Sequence, residues 1–130
     1  SAKRGVDTHL VVPARNDSKL VEAASKGRYQ RLLEAGIQIH EFHGGLLHAK
    51  TMTIDRDFAL IGSANLDRRS LELNFEVSML VYDSDFASQL RFLQMSYIEQ
   101  ATPLTLQEVA EWPISQQLWQ NAIGIIAPIL

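Results

Sequence analysis

The sequence predicts an α/β fold, an α-β-α sandwich in which helices surround a mixed β-sheet. Three observations lead there. The first 42 residues are ordered strand, helix, strand; the stretch from residue 46 to residue 82 has period-two segments punctuated by turn residues; and a helical apolar stripe follows Asp83.

Val6, Thr8, Leu10 and Val12 alternate with Asp7, His9 and Val11, and the resulting strand stops at Pro13. A helix follows, with Asn16, Asp17 or Ser18 as its cap and Leu20, Val21, Ala24, Tyr29, Leu32 and Leu33 as its buried face. Gly27 can divide this helix and Gly36 closes it, before Ile37 to Phe42 forms a second strand. A strand, a helix and a strand in this order require a parallel pair joined by a right-handed crossover. Past Gly44-Gly45, Leu46 to Ile54 reads as a third strand, Asp55-Arg56-Asp57 as a tight turn, and Phe58 to Ile61 as an antiparallel fourth strand. Gly62-Ser63-Ala64-Asn65 leaves that strand as a loop. Phe75, Val77, Met79 and Val81 alternate with Glu76, Ser78, Leu80 and Tyr82, which predicts a fifth strand. Asp83 or Ser84 then starts a helix whose stripe is Phe86, Leu90, Leu93 and Tyr97. Thr105 with Glu108 is a capping-box pattern for a short helix ending before Pro113, and Ile114, Leu118 and Ala122 suggest one more helix.

With 130 residues, 46% hydrophobic and 21% charged, the composition suits one globular domain, and no repeat, low-complexity tract or linker divides residues 1–130. Twelve basic against 15 acidic residues give a net charge of −3, so no global field draws in nucleic acid or an anionic membrane. The absence of cysteine excludes disulfides and thiolate metal sites. The longest apolar run, Ala122 to Leu130, has nine residues, about half of what a membrane-spanning helix requires. Ser-Ala-Lys-Arg-Gly at the start carries no apolar segment of the signal-peptide kind.

His48, Lys50, Asp55, Gly62, Ser63 and Asn65 spell H-x-K-x4-D-x6-G-S-x-N. On a strand, His48 and Lys50 project from the same face, and the returning hairpin brings Ser63 and Asn65 to the same end of the sheet. An imidazole, an ammonium, a hydroxyl, an amide and loop N–H groups then converge on one anion, which describes a phosphate pocket containing a nucleophile. A neutral imidazole attacks phosphorus, a second protonated imidazole releases the alcohol, and Lys50 and Asn65 hold the oxygens on which charge develops. The attacking ring needs an acceptor on its other nitrogen, and Glu76 is the candidate. The lysine beside the histidine would repel a divalent ion, so no metal and no cofactor is expected. The first three fixed positions alone arise by chance in ~1% of chains of this length, whereas all six together fall to ~10⁻⁶. His9, His40 and His43 have no patterned partner and read as structural or exposed. Arg68 and Arg69 read as surface, and Trp112, Trp119 and the apolar tail as packing groups.

The signature resembles the phospholipase D superfamily. Arg4-Gly5-Val6, Leu33-Glu34-Ala35-Gly36, Leu47-His48-Ala49-Lys50-Thr51, the run from Gly62 to Ser70 and Leu73-Asn74-Phe75-Glu76-Val77 are similar to the C-terminal catalytic half of bacterial enzymes of the cardiolipin synthase type. The resemblance implies that His48 is one of two active-site histidines, that Lys50 and Asn65 bind phosphate, that Ser63 supports the loop, that Glu76 orients His48 and that Asp55 steadies a strand end. It also implies two such motifs per active site, where this chain holds one. A partner motif is therefore expected from the rest of a longer chain or from a second subunit, and the single domain 1–130 is expected to lack its first strand and most of its first helix and to be nearly inactive alone.

The leading expectation is a phosphatidyl transferase that moves a phosphatidyl group between phosphatidylglycerol molecules. The longer parent would sit on the cytoplasmic side of a bacterial inner membrane, held by segments outside this soluble piece, with phospholipid and not nucleic acid as substrate. The alternative is a homodimeric, metal-independent phosphodiesterase or endonuclease of the same superfamily. A third is a binding domain that keeps the pocket without turnover.

Overall fold

A computed structural model describes residues 1–15, 19–45, 47–64 and 75–113. After a 3₁₀ turn at Ala2–Arg4, the described elements are β1 (His9–Pro13), α1 (Lys19–Lys26), α2 (Tyr29–Glu34), β2 (Gln38–Phe42), β3 (Thr51–Ile54), β4 (Phe58–Gly62), β5 (Ser78–Tyr82), α3 (Ser84–Glu99), β6 (Ala101–Leu104) and α4 (Leu106–Ala110). The contacts divide the chain into two compact units, one of Ser1–Leu47 with Gln100–Leu130 and one of His48–Glu99. The expected caps Asn16, Asp17 and Ser18, the expected last helix at Ile114, Leu118 and Ala122, Trp119 and the apolar tail lie outside the described residues.

In the first unit β2 is central, parallel to β1 and antiparallel to β6. The parallel pair runs from His9 opposite Gln38 to Pro13 opposite Phe42, as the strand-helix-strand order requires. Gly27 does divide the helical stretch, since α1 ends at Lys26 and α2 starts at Tyr29. Gly36 ends α2 in the left-handed conformation, φ +88°, which a side chain would disfavour. Alternation places Leu10, Val12, Ile39 and Leu104 on one sheet face, where they pack with Tyr29 of α2, Val109 of α4 and Trp112. Ile39, at 1% exposure, is the centre of this core. Burial pushes the Tyr29 phenol far above its ordinary pKa, with Glu41 and Glu22 adding to the effect.

The capping box forms as expected. The Glu108 N–H donates to Thr105 Oγ1 at 3.2 Å, and the Thr105 N–H donates to Glu108 Oε2 at 2.8 Å. Hydrogen bonds from the Thr105 hydroxyl and main chain hold the Glu108 carboxyl below its ordinary pKa. Strand β6 was not expected, because Ala-Thr-Pro-Leu contains a proline. The edge position accommodates it, with Pro103 opposite His40 and no partner needed on its other side.

The second unit is an antiparallel sheet in the order β3-β4-β5 with α3 on one face. The three-residue turn after β3 puts Asp55 at φ 53°, a left-handed conformation that aspartate tolerates better than most side chains. The Phe86 N–H donates to Asp83 Oδ1 at 2.8 Å, which caps α3 as the sequence suggests.

Three strands are shorter than expected: the first begins at His9 and not at Val6, and two more lie in the second unit. The third begins at Thr51 and not at Leu46, a residue outside the described set, and the fifth begins at Ser78 and not at Phe75. Both strands begin level with the end of β4, with Thr51 opposite Ile61 and Ser78 opposite Gly62. The helical stripe is also displaced. Phe86 and Leu93 are exposed, whereas Ala87, at 1% exposure, and half-buried Leu90, Gln94 and Tyr97 line the sheet side. A small residue where helix and sheet meet, with Ala59 of β4 fully buried, sets that face. On the opposite sheet face Met52, Ile54, Phe58, Leu80 and Tyr82 remain exposed, with the Phe58 and Tyr82 rings stacked at 4.7 Å.

Candidate functional site

Four of the six motif positions lie in the described residues around the end of the second unit's sheet, where β3 begins and β4 ends. His48 and Lys50 are not on a strand as expected; they precede β3. They still meet, by a different device. The Lys50 ammonium turns back and donates to the main-chain carbonyl of His48 at 3.1 Å, so the pair is set by one side chain on its own backbone and not by neighbouring pleats. His48 is exposed and Lys50 half-buried.

The link between the two halves of the motif is a main-chain bond. The Gly62 N–H donates to the Lys50 carbonyl at 3.0 Å, extending the β3–β4 ladder by one residue and seating the Gly-Ser loop beside the lysine. Glycine is required at 62 by space. A Cβ there would lie 2.5 Å from Ser78 Oγ, closer than real contacts allow, and 3.0 Å from the Val77 carbonyl oxygen, a tight approach to main chain. The loop then continues the ladder on its other side, with the Ser63 N–H donating to the Val77 carbonyl at 3.0 Å.

Ser63 is held on all sides. Its hydroxyl donates to Glu76 Oε2 at 2.5 Å and accepts from the Val77 N–H at 3.1 Å. Glu76 precedes β5 and does not sit on it as expected, and among the described contacts its carboxylate meets Ser63 rather than the His48 ring. The reason is register: pairing of Ser63 with Val77 brings residue 76 against the serine. Asp55 is at the far end of the hairpin. The four residues of β3 separate it from Lys50, about 16 Å of extended chain from one residue to the other, so its place is the left-handed turn at the hairpin's other end. Asn65, Arg68 and Arg69 lie outside the described residues.

Chemically, the arrangement offers an exposed imidazole, an ammonium bonded to the same residue's main chain and a serine hydroxyl that donates to a carboxylate. The structural role of Gly62 and the part played by Val77 and Ser78 in shaping the loop were missed from the sequence. Strand register, which brings them together, is not encoded in any local spacing.

A second histidine cluster lies in the first unit. His9 Nδ1 and His40 Nε2 are 3.0 Å apart across β1 and β2, with the rings stacked at 5.2 Å. His9 Nε2 lies 3.3 Å from the Asp7 carboxylate, which also accepts from the Gln38 amide at 2.7 Å. Only one proton can lie between the two imidazoles, so the neutral array has His40 donating to His9 and His9 donating to Asp7. His40 is 8% exposed; burial, and then His9, lower its pKa below the ordinary 6.5.

The fold and the loop geometry define a phospholipase D-like protein. Nuc from Salmonella typhimurium, a phospholipase D family member of known crystal structure, superposes with a TM-score of 0.66 over 79% of this chain and 67% of that one, at 19% identity, a likeness of fold. The family profile described as "Cardiolipin synthase, PLD-like domain" matches residues 1–93. Cardiolipin synthase A of Proteus mirabilis is 41% identical over all 130 residues, that of Edwardsiella ictaluri 41% and that of Klebsiella pneumoniae (strain 342) 38%. The chain belongs to the cardiolipin synthase, PLD-like domain family, and it spans 27% of the length of these relatives.

Proposed function

We propose that this chain is the catalytic part of a phosphatidyl transferase of the cardiolipin synthase type. In this reading residues 1–130 form one phospholipase D-like domain that supplies one of two H-x-K motifs. The other comes from the remainder of a longer chain or from a second subunit. His48 or its counterpart attacks the phosphorus of one phosphatidylglycerol. A P–N bond forms, the P–O bond to glycerol breaks, and the second imidazolium gives its proton to the departing glycerol. The same imidazole then takes a proton from the hydroxyl of a second phosphatidylglycerol, which attacks the phospho-histidine and releases cardiolipin and the free ring. Lys50 and Asn65 hold the phosphoryl oxygens, and the Ser63–Glu76 pair keeps the loop in place.

The observation that carries this reading is the Gly62–Lys50 main-chain bond, which joins the H-x-K segment to the G-S-x-N loop in a chain matched end to end by cardiolipin synthases. The reading needs no metal, because in it Lys50 supplies the positive charge that the phosphoryl oxygens require. No described helix is long and apolar enough to cross a membrane, and attachment to the cytoplasmic face of an inner membrane is assigned to segments outside this sequence.

The test is His48→Ala in the full-length protein containing this sequence, assayed for cardiolipin from phosphatidylglycerol vesicles in EDTA. The expected result is loss of product by at least about 10³-fold. Undiminished synthesis overturns the proposal, and DNA cleavage by the unmodified protein under the same conditions would turn it to a phosphodiesterase.

A further inference from the structure

The side chain of Gln94, on α3, reaches β3 through both ends of its amide. Its Oε1 accepts from the Thr53 hydroxyl at 2.7 Å, and its Nε2 donates to Thr51 Oγ1 at 3.1 Å. Thr51 and Thr53 alternate along β3 and so share the face toward α3. The amide can only accept at oxygen and donate at nitrogen, so each hydroxyl has a fixed part: Thr53 gives its proton and Thr51 offers a lone pair. One half-buried side chain thus grips two positions of one strand from a helix more than forty residues away in sequence.

The gripped strand is the one that matters to the site. Among the described residues β3 is at the edge of its sheet, bonded to β4 alone, and edge strands open from their ends. Its first residue, Thr51, directly follows Lys50, whose carbonyl takes the last ladder bond, from Gly62. Opening the start of β3 would release that bond. The lysine would then separate from the Gly-Ser loop.

We propose that Gln94 is a positioning residue for the phosphate site, holding β3 closed through Thr51 and Thr53 so that Lys50 stays against Gly62. This rests on the reading of Lys50 as a phosphate ligand, but the clamp itself is open to independent measurement. The test compares the full-length protein containing this sequence with its Gln94→Met variant, which keeps length and removes both polar ends, and with Thr51→Ser/Thr53→Ser, which keeps both hydroxyls. Amide exchange at Gly62 is followed by NMR together with titration of inorganic phosphate.

In Gln94→Met, exchange at Gly62 should quicken about tenfold while the β4–β5 ladder amides hold their rates, and phosphate should bind about tenfold more weakly. The double serine variant should match the unmodified chain in both. Unchanged Gly62 exchange in Gln94→Met overturns the inference, as does an equal acceleration of all sheet amides, which would make Gln94 only a packing residue. If the unmodified chain binds no phosphate while Gly62 exchange still responds to Gln94→Met, the clamp on β3 is upheld and the functional reading of Lys50 falls. Should Gln94→Met fail to fold, Thr53→Val, near in shape and lacking the donor, decides by the same Gly62 measurement.

Discussion

His9 and His40 in the first unit and His48 in the second are the same side chain in opposite surroundings. The first two are tied to each other and to Asp7 across adjacent strands, and His40 is buried and kept neutral by its surroundings. His48 stands exposed before a strand, and among the described residues no hydrogen bond reaches its ring; only its carbonyl is engaged, by Lys50. A histidine whose nitrogens are spoken for contributes to holding strands together. One whose ring is open to solvent is accessible to the phosphoryl group that the proposed reaction requires.

Substitutions at both places separate the two settings most widely. His48→Ala should abolish phosphatidyl transfer by at least about 10³-fold in the full-length protein, whereas His9→Ala should leave the turnover rate within about twofold and show its effect in the denaturation midpoint instead. In the second unit a close approach can be probed directly. Gly62→Ala, forcing a methyl against Ser78 and the Val77 carbonyl, should destabilise by about 2 kcal/mol in urea titration. In the first unit, Thr105→Ala removes one side of the capping box and should cost about 1 kcal/mol by the same measurement. The finest probe of the contrast is pH. His40 is held neutral in the fold but protonates near 6.5 when unfolded, so the unfolded chain binds more protons in acid. Its contribution is present above about 6.5 and declines as the pH falls from there through its lowered folded value. Among the described residues the groups facing it are His9, with Asp7 and Gln38 behind. The urea midpoint should therefore fall between pH 7.5 and pH 5, and His40→Gln should flatten that fall, whereas His48→Ala should leave it intact.

Much of the fold was legible because it rests on local signals. The break at Gly27, the stop at Gly36, the turn at residues 55–57, the Asp83 cap and the Thr105–Glu108 box each depend on residues within a few positions of one another. What was not legible depends on a distant partner. Alternation in residues 46–50 and 75–77 promised longer strands, but both begin level with the end of β4. The stripe at Phe86 and Leu93 obeyed helical periodicity and still faces outward, because Ala87 permits the closer approach. The same holds for the site. The H-x-K and G-S-x-N segments were evident as a motif, and Lys50 does lie beside the loop. The pairing of Glu76 with Ser63 and the His9–His40 contact follow from register alone, which no spacing within one strand reveals.

Strands β2 and β6 are hydrogen-bonded neighbours, with Phe42 opposite Ala101, although everything from β3 to the end of α3 is threaded between them. The chain departs and comes back within roughly 5 Å, the span of a cross-strand pair, so the intervening segment behaves as a cassette inserted at a hairpin. Closing a long excursion costs little more than closing a short one, because the entropy grows only with the logarithm of its length. Such a junction lets the first unit's sheet keep its architecture while the inserted hairpin and helix are exchanged or redesigned.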